Sequence, residues 1–384
     1  MSRTADLVVA GMGALGGAVA LAAARRGLSV VALDPHLPPH TLGSSHGGTR
    51  IIREAYFEDP LYVPLVQRAW RQWEELGERR GEMLLRATGG VMIGPPDGVL
   101  VSGALLSART HGLPHERLQA AAARARFPAL RLADGEVAVW EPRAGVLFPE
   151  ACVAAQLADA REAGAALEPG VALLGWQADG AGVRVRTARG EIAAGALVLA
   201  CGAWLPQLLP AVRDLLQVER VVQAWWAPDD AAAYDPARFP IWIWEFAPGP
   251  NPGETRFVYG FPRFEGRIKA ARHHAGTIAS PDTVAREVSE AERAALHADL
   301  APRLTGLRAG PVRACVCLYT NTPDGHFLLD TLPEAPRVFV ASACSGHGFK
   351  FAPALGEAIA AWAATDAHPA ALARFRWRAG VQPA

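Results

Sequence analysis

Six residues near the start of the chain, Gly11-Met12-Gly13-Ala14-Leu15-Gly16, constrain its fold more than any other feature. The apolar run at residues 7–10 precedes them and is of strand type. An Ala-rich helical pattern follows to Arg26, with Gly27 where a helix C-cap belongs. Residues 29–33 read as a second strand that ends in Asp34. Strand, G-x-G-x-x-G, helix, strand, acid is the full context that a dinucleotide fingerprint demands. Gly11 permits the tight turn, Gly13 lets a pyrophosphate approach the backbone, and Gly16 lets helix pack on strand. The helix N-terminus offers free N–H groups and a positive partial charge to the phosphates. Asp34 can accept from both ribose hydroxyls of an adenosine, which argues against a 2′-phosphate. The motif does not separate FAD from NAD.

A chain of 384 residues suggests roughly two domains. The hydrophobic fraction of 51% and charged fraction of 20% are those of an ordinary globular protein. The formal net charge of zero implies neither nucleic acid nor an anionic membrane as partner. The five cysteines, Cys152, Cys201, Cys315, Cys317 and Cys344, contain no Cys-x-x-Cys and no zinc-type spacing. Reduced thiols in a cytoplasmic protein are expected, with no metal. The N-terminus lacks a signal-peptide layout. The apolar stretch 192–212 is broken by Gly202, Pro206 and Pro210, so no transmembrane helix is expected.

The cations are unevenly chosen. The chain carries thirty-six arginines and two lysines, Lys269 and Lys350. Arg is a planar fork that stays protonated, whereas Lys is a compact point charge whose pKa moves on burial. The two lysines are either leftovers on a solvated surface or sites where a small cation is needed beside a reacting atom.

Two further glycine segments stand out. Gly43-Ser44-Ser45-His46-Gly47-Gly48-Thr49-Arg50-Ile51-Ile52-Arg53 combines small residues, which let backbone approach a ligand, with two arginines three apart. Those arginines share one face if the segment is helical. Near the C-terminus a strand-like run at 338–344 leads into Ser345-Gly346-His347-Gly348-Phe349-Lys350-Phe351 and a helical pattern at 354–363. A helix N-terminus there would stabilise negative charge, such as that on the N1 and C2 carbonyl region of a reduced flavin.

Together with Cys317-Leu318-Tyr319-Thr320 and the His326-Phe327 that follows, these blocks resemble the monomeric sarcosine oxidase and N-methyltryptophan oxidase family. Its members are flavin amine oxidases with the fold of glycine oxidase and D-amino acid oxidase. Weaker matches are Gly145-Val146-Leu147-Phe148, Gly202-Ala203-Trp204, Tyr259-Gly260-Phe261-Pro262 and Pro281-Asp282-Thr283, in family order over nearly the whole chain.

The resemblance implies FAD, held by Gly11, Gly13, Gly16, Asp34, Ser44, Ser45, His46, Thr49, Arg50, Gly346, Gly348 and Lys350. It implies a covalent thioether at Cys317, the cysteine two residues before the Tyr of a Cys-x-Tyr-Thr motif. Strand parity puts Cys315 and Cys317 on one face, so only the motif separates them. Arg53 and Lys350 match residues that grip a substrate carboxylate, and Arg50 matches a cation beside the flavin ring. Lys269 matches an oxygen-activating lysine, where a fixed cation stabilises developing superoxide. His273 matches a histidine that positions the amine, and Tyr259 and Tyr319 match aromatics near the substrate. His274 has no counterpart and reads as structural.

The implied reaction is oxidation of a secondary amino acid, N-methyl or cyclic, to an imine, with O2 reduced to H2O2 by a monomeric enzyme. One rival is a flavin enzyme that oxidises a biosynthetic amine with another electron acceptor. A rival of a different class is a non-catalytic flavin-binding redox sensor. The expected fold is α/β and α+β. A Rossmann-like FAD-binding domain (residues 1–84, 146–216 and 319–384) carries a second domain (85–145 and 217–318) built on a mixed, largely antiparallel sheet. Ser280-Pro281-Asp282 reads as the start of a helix over 283–300. Trp242 and Trp244 alternate with Ile241 and Ile243. The tryptophans are either the core face of a strand or an aromatic mouth for a bulky substrate group. Prolines 228, 236, 240, 248, 250 and 252 run through and just beyond this segment.

Overall fold

The computed structural model describes residues 3–246, 256–378 and 381, so Pro248, Pro250 and Pro252 lie outside the described residues. The strand-helix-strand unit forms as its sequence implies. Strand β1 (Arg3–Ala10), helix α1 (Ala14–Arg25) and strand β2 (Val30–Asp34) follow one another, with β1 and β2 parallel. A Cβ on Gly16 would lie 1.8 Å from the Gly11 carbonyl oxygen, so only glycine lets the helix start this close to the turn. Leu7 to Ala10 are buried, as suits a central strand of a sheet covered on both faces.

That sheet has eight strands. Gly190–Leu199 and Ala166–Pro169 join β1 and β2 in parallel, and Ala335–Ser342 pairs in parallel with the end of Gly190–Leu199. A second sheet of nine strands is antiparallel except where Ile241–Phe246 runs parallel to Gly90–Gly94. At its heart Gln217–Trp226 lies between Arg313–Asn321 on one side and Ile268–His273 on the other, and Arg256–Gly260 comes next. The mixed, largely antiparallel sheet was therefore legible. We propose that the two domains follow these sheets, along the residue ranges given above.

Three local expectations change. Arg50 and Arg53 lie at the two ends of strand β3 (Arg50–Arg53), not on a helix, so side chains three apart leave on opposite sides. The β-branched pair Ile51-Ile52 between them favours the extended form. β3 pairs antiparallel with Ala144–Leu147 in a small three-stranded sheet. The helix expected from residue 283 begins at Glu290 instead and ends at Leu300. Its true start is the capping box Ser289–Glu292, which satisfies two backbone donors at once. Asp282 instead accepts a hydrogen bond from Trp204 Nε1 at 2.8 Å.

The third correction concerns the tryptophans. Alternation along Ile241–Phe246 is as expected, but Trp242 and Trp244 are fully buried in a core with Trp226, Phe239, Leu296 and Leu300. They form no substrate mouth. The opposite face of the strand sends Ile243 toward the main cavity. Trp244→Ala should therefore destabilise the protein by about 3–5 kcal/mol, the range for deleting a buried large aromatic. Denaturant unfolding reads this loss, and the ratio of KM values for small and bulky substrates should stay unchanged.

Candidate active site

One elongated cavity of about 470 Å³ runs from Gly11, Gly13 and Asp34 to Arg53, His273 and Lys350. At its first end Asp34 accepts from Met12 N at 2.8 Å and His36 N at 2.9 Å, so the acid also ties the glycine turn to β2. The nearest atom to a Cβ built on Gly13 is Ser45 Oγ at 3.6 Å, which leaves bare backbone facing the cavity. Ser45 Oγ itself accepts from Ala14 N, at 3.3 Å, at the helix N-terminus.

The segment 43–50 forms the partition between the two sheets, and charged side chains hold it. Glu150 accepts from Gly47 N at 2.7 Å and Gly48 N at 3.1 Å. Lys269 Nζ donates to the carbonyls of Gly47 at 2.8 Å and Thr49 at 3.0 Å. Arg50 donates to the Thr49 and Ser44 carbonyls, and its Nη2 lies 3.4 Å from Cys317 Sγ. Ser44 Oγ donates to Leu318 O at 2.6 Å. Lys269 is buried, with the Trp225 and Phe261 rings 5.4 and 5.2 Å from its nitrogen. Burial first, and then the Arg50 charge, push its pKa well below the ordinary lysine value.

At the other end of the cavity, Arg53 is almost fully buried and its Nη2 donates to both carboxylate oxygens of Glu58, at 2.8 and 2.6 Å. Lys350 is buried beside it and donates to His347 O at 2.6 Å. Burial and the Arg53 charge push Lys350 down to about 7, against the opposing pull of Glu58. Burial, followed by His274, His347, Lys350 and Arg53, holds His273 well below the ordinary imidazole value, so its ring is neutral. The Tyr259 and Tyr319 hydroxyls meet at 3.3 Å. A Cβ on Gly346, whose φ is 73°, would come within 2.6 Å of the His273 ring and 2.7 Å of the Tyr319 ring. Glycine there lets the C-terminal loop close against both.

Most residues singled out in the sequence thus converge. The cavity walls include Gly11, Gly13, Asp34, Ser44, Ser45, Arg50, Arg53, Tyr259, His273, Tyr319, Gly346, Gly348 and Lys350. Gly16 serves packing. His46, Thr49, Lys269 and Cys317 stand one layer behind the walls, on or against the 43–50 partition. Among the described residues, His46 Nε2, Thr49 Oγ1 and Gln223 Oε1 are buried there without a hydrogen-bond partner. Burial, reinforced by Arg50 and Lys269, drops His46 to about 3, so it is neutral. Cys317 contacts Arg50 and lies 3.8 Å from Ser44 O, whereas Cys315, among the described residues, hydrogen-bonds to neither. His274 pairs with Glu219 at 3.3 Å, in keeping with a structural role.

The sequence reading missed Tyr56, Phe57, Glu58, Glu141, Glu150 and His347. Glu141 accepts from the backbone N–H groups of Glu54 and Ala55 at 3.1 and 2.8 Å, and burial raises its carboxyl to about 7. Tyr56 to Glu58 lie three to five residues after Arg53, and His347 sits inside the Ser345–Phe351 block. Tyr56, Glu141, Glu150 and His347 have partners in distant segments, whereas Glu58 pairs with Arg53 nearby. Among the described residues no group of acids, histidines or cysteines could hold a metal ion.

The match to the FAD dependent oxidoreductase family spans residues 6–362. The chain belongs to that family. It is 41% identical to monomeric sarcosine oxidase of Streptomyces avermitilis over 379 residues, covering 97% of both chains. It is 35% identical to N-methyl-L-tryptophan oxidase of Salmonella arizonae, covering 96% of this chain and 99% of that one. The protein is thus a flavin-dependent oxidoreductase of the sarcosine oxidase group. Its fold is similar to that of the Tyr258Phe mutant of NikD, an unusual amino acid oxidase essential for nikkomycin biosynthesis. That structure superposes with a TM-score of 0.85 at 25% identity, over 100% of this chain and 98% of that one. Glycine oxidase from Geobacillus kaustophilus shares the fold, with a TM-score of 0.78 over 98% of both chains.

The residues present fit FAD. Gly11, Gly13, Ser45 and Asp34 supply bare backbone, a helix N-terminus and an acid at one end of the cavity.

Proposed function

We propose that the protein oxidises the CH–NH bond of a small secondary amino acid, N-methyl or cyclic, to an imine, with O2 as final electron acceptor. The observation that carries this reading is the charge at the far end of the cavity. Arg53, Lys350 and Glu58 together leave one uncompensated positive charge out of water, and Lys350 is depressed accordingly. A substrate carboxylate would neutralise that charge, and removing a carboxylate from water requires such a partner. An Arg fork and a Lys point charge supply direction and neutralisation together.

Bound FAD would supply the two-electron acceptor for the substrate. The chain's residues do the rest. Arg53 and Lys350 hold the carboxylate. Neutral His273, with Tyr259 and Tyr319, faces the amine without adding a cation, so the nitrogen binds unprotonated with its lone pair available. Ile243 and Phe57 wall the cavity with apolar surface, which favours a substrate with a short apolar substituent. Two electrons and two protons leave the substrate, O2 takes them up as H2O2, and water hydrolyses the imine outside the site. Lys269, on the other side of the partition, is the fixed cation for negative charge developing on O2. Cys317 is the attachment point for FAD. A monomer in the cytoplasm completes the reading.

H2O2 release with N-methyl or cyclic amino acids, and none with the corresponding amines that lack a carboxylate, is the expected result. Equal turnover of the decarboxylated amines would refute the reading. Affinity for (methylthio)acetate should fall as pH rises through about 7, because Lys350 of the free enzyme carries its charge below that value and loses it above.

Cys317→Ser should yield protein whose FAD is released by acid, while Cys315→Ser keeps FAD in the acid pellet. The opposite pattern would move the attachment to Cys315.

Lys269→Met keeps the stem and deletes the charge. The anaerobic half-reaction with substrate should change little in stopped flow, while the half-reaction with O2 slows roughly a hundred- to thousandfold, the effect of losing about 3–4 kcal/mol of preorganised charge. Slowing of the substrate half-reaction with the O2 half-reaction intact would show that Lys269 serves only as the clamp of residues 43–50.

A further inference from the structure

Tyr56 touches both cations at the carboxylate end yet is not part of the cavity wall. It is fully buried. The Arg53 guanidinium carbon lies 4.2 Å from the centre of its ring. Lys350 Nζ lies 3.4 Å from its hydroxyl oxygen and 5.2 Å from the ring centre. The ring packs between Tyr62 and Phe351, at centroid distances of 4.7 and 5.2 Å. Its backbone is clamped as well. Ser107 Oγ donates to Tyr56 O, and Glu141 accepts from the preceding N–H of Ala55 at 2.8 Å.

The direction of the Tyr56 proton follows from its neighbour. His347 Nε2 lies 2.9 Å from the carbonyl oxygen of Gly325, which can only accept, so Nε2 carries the hydrogen. His347 is neutral, held at about 3 by burial above all. Its Nδ1 is then an acceptor, and the Tyr56 hydroxyl 2.5 Å away donates to it. The phenol oxygen therefore has only lone pairs to offer Lys350. An ammonium has three N–H donors. One goes to His347 O and one to Tyr56 Oη, which leaves the third free for the cavity. The Lys350 backbone is fixed in turn by Trp73 Nε1, which donates to Lys350 O at 2.9 Å.

We propose that Tyr56, held by His347, is the positioning residue of the carboxylate anchor: its oxygen aims the Lys350 ammonium while its ring seats the Arg53 guanidinium. This rests on the carboxylate reading of Arg53 and Lys350. The relay is one-way, from Gly325 O through His347 and Tyr56 to Lys350. A proton on Nδ1 would turn the phenol round and place its hydrogen against the ammonium.

The test is calorimetric titration of the FAD-loaded protein with (methylthio)acetate across pH 5–9. The titratable and charged groups around Lys350 are Arg53, Tyr56 and Glu58, His347 from its own turn, and His273 from the facing sheet. Tyr56→Phe keeps the ring and deletes the acceptor. The dissociation constant should rise about ten- to a hundredfold, the usual effect of losing a hydrogen bond to a charged group. The pH at which affinity breaks should also move down, because the ammonium has lost an acceptor that favoured its charged form. A residue needed only for packing would weaken binding without moving the break. His347→Gln retains an acceptor for Tyr56 and a donor for Gly325, and should keep the wild-type break. His347→Leu should shift it as Tyr56→Phe does, and this pair decides the matter even if Tyr56→Phe does not fold. A wild-type affinity and break in Tyr56→Phe or His347→Leu, with binding lost in Lys350→Ala, would overturn the proposal and leave the carboxylate reading standing. Unchanged binding in Lys350→Ala would overturn both.

Discussion

The backbone of residues 43–50 is the constraint on which the site depends. Its His46, Gly47 and Thr49 are buried, and an unpaired N–H or C=O at such a point would be costly. Side chains of opposite sign meet this demand from opposite directions. Glu150 takes the N–H groups of Gly47 and Gly48, and Lys269 feeds the carbonyls of Gly47 and Thr49. Arg50 closes the loop on itself through Ser44 O and Thr49 O. The partition is thus set by charge-assisted hydrogen bonds to fixed backbone, which are shorter and stronger than neutral ones. Lys269 is a structural clamp and, at the same point, a buried cation. The two roles need the same ammonium, which reaches two carbonyls two residues apart, those of Gly47 and Thr49.

The far end of the cavity shows the opposite economy. Buried charge is tolerated when it is paired, and Arg53 Nη2 donates to both carboxylate oxygens of Glu58. Lys350 adds a second cation without a second anion, and burial first, then the Arg53 charge, depresses its pKa. A binding protein optimised for stability would have no use for such an imbalance. A site that waits for an anion does, because the arriving carboxylate collects an interaction that has already been prepared. Glu58 then serves a second end. It keeps Arg53 from being stranded, and under the proposed function it competes with the substrate carboxylate for the same guanidinium.

What the sequence disclosed was whatever depends on local chemistry. Gly16 and Gly11 are read correctly because the turn leaves no room for a side chain. Lys350 and Arg53 stand out by residue type. Strand parity gave the alternation of Ile241–Phe246 but not its polarity, since a Trp looks the same facing a core or a ligand. Only the packing of Trp242 and Trp244 against Leu296 and Leu300, more than fifty residues later, decides between them. The helix at 290–300 was misplaced because Pro281-Asp282 is a good start signal on its own. It lost to the reciprocal Ser289–Glu292 box, which satisfies two donors where one proline satisfies none.

Tyr56 and Glu141, which escaped notice, each act on a partner far along the chain, unlike Glu58, five residues from Arg53. Tyr56 reaches His347 and Lys350 across about 290 positions, and Glu141 reaches back to Ala55 across 86. No local pattern distinguishes a tyrosine that aims a lysine from one that fills a core, and Tyr56 does both. A distance in sequence of this size also has a consequence for assembly. The anchor exists only when β3, the loop after it and the C-terminal glycine turn have docked, because its cations, phenol and imidazole arrive from two ends of the chain. The charged end of the cavity is therefore complete only when residues from both ends of the chain have come together.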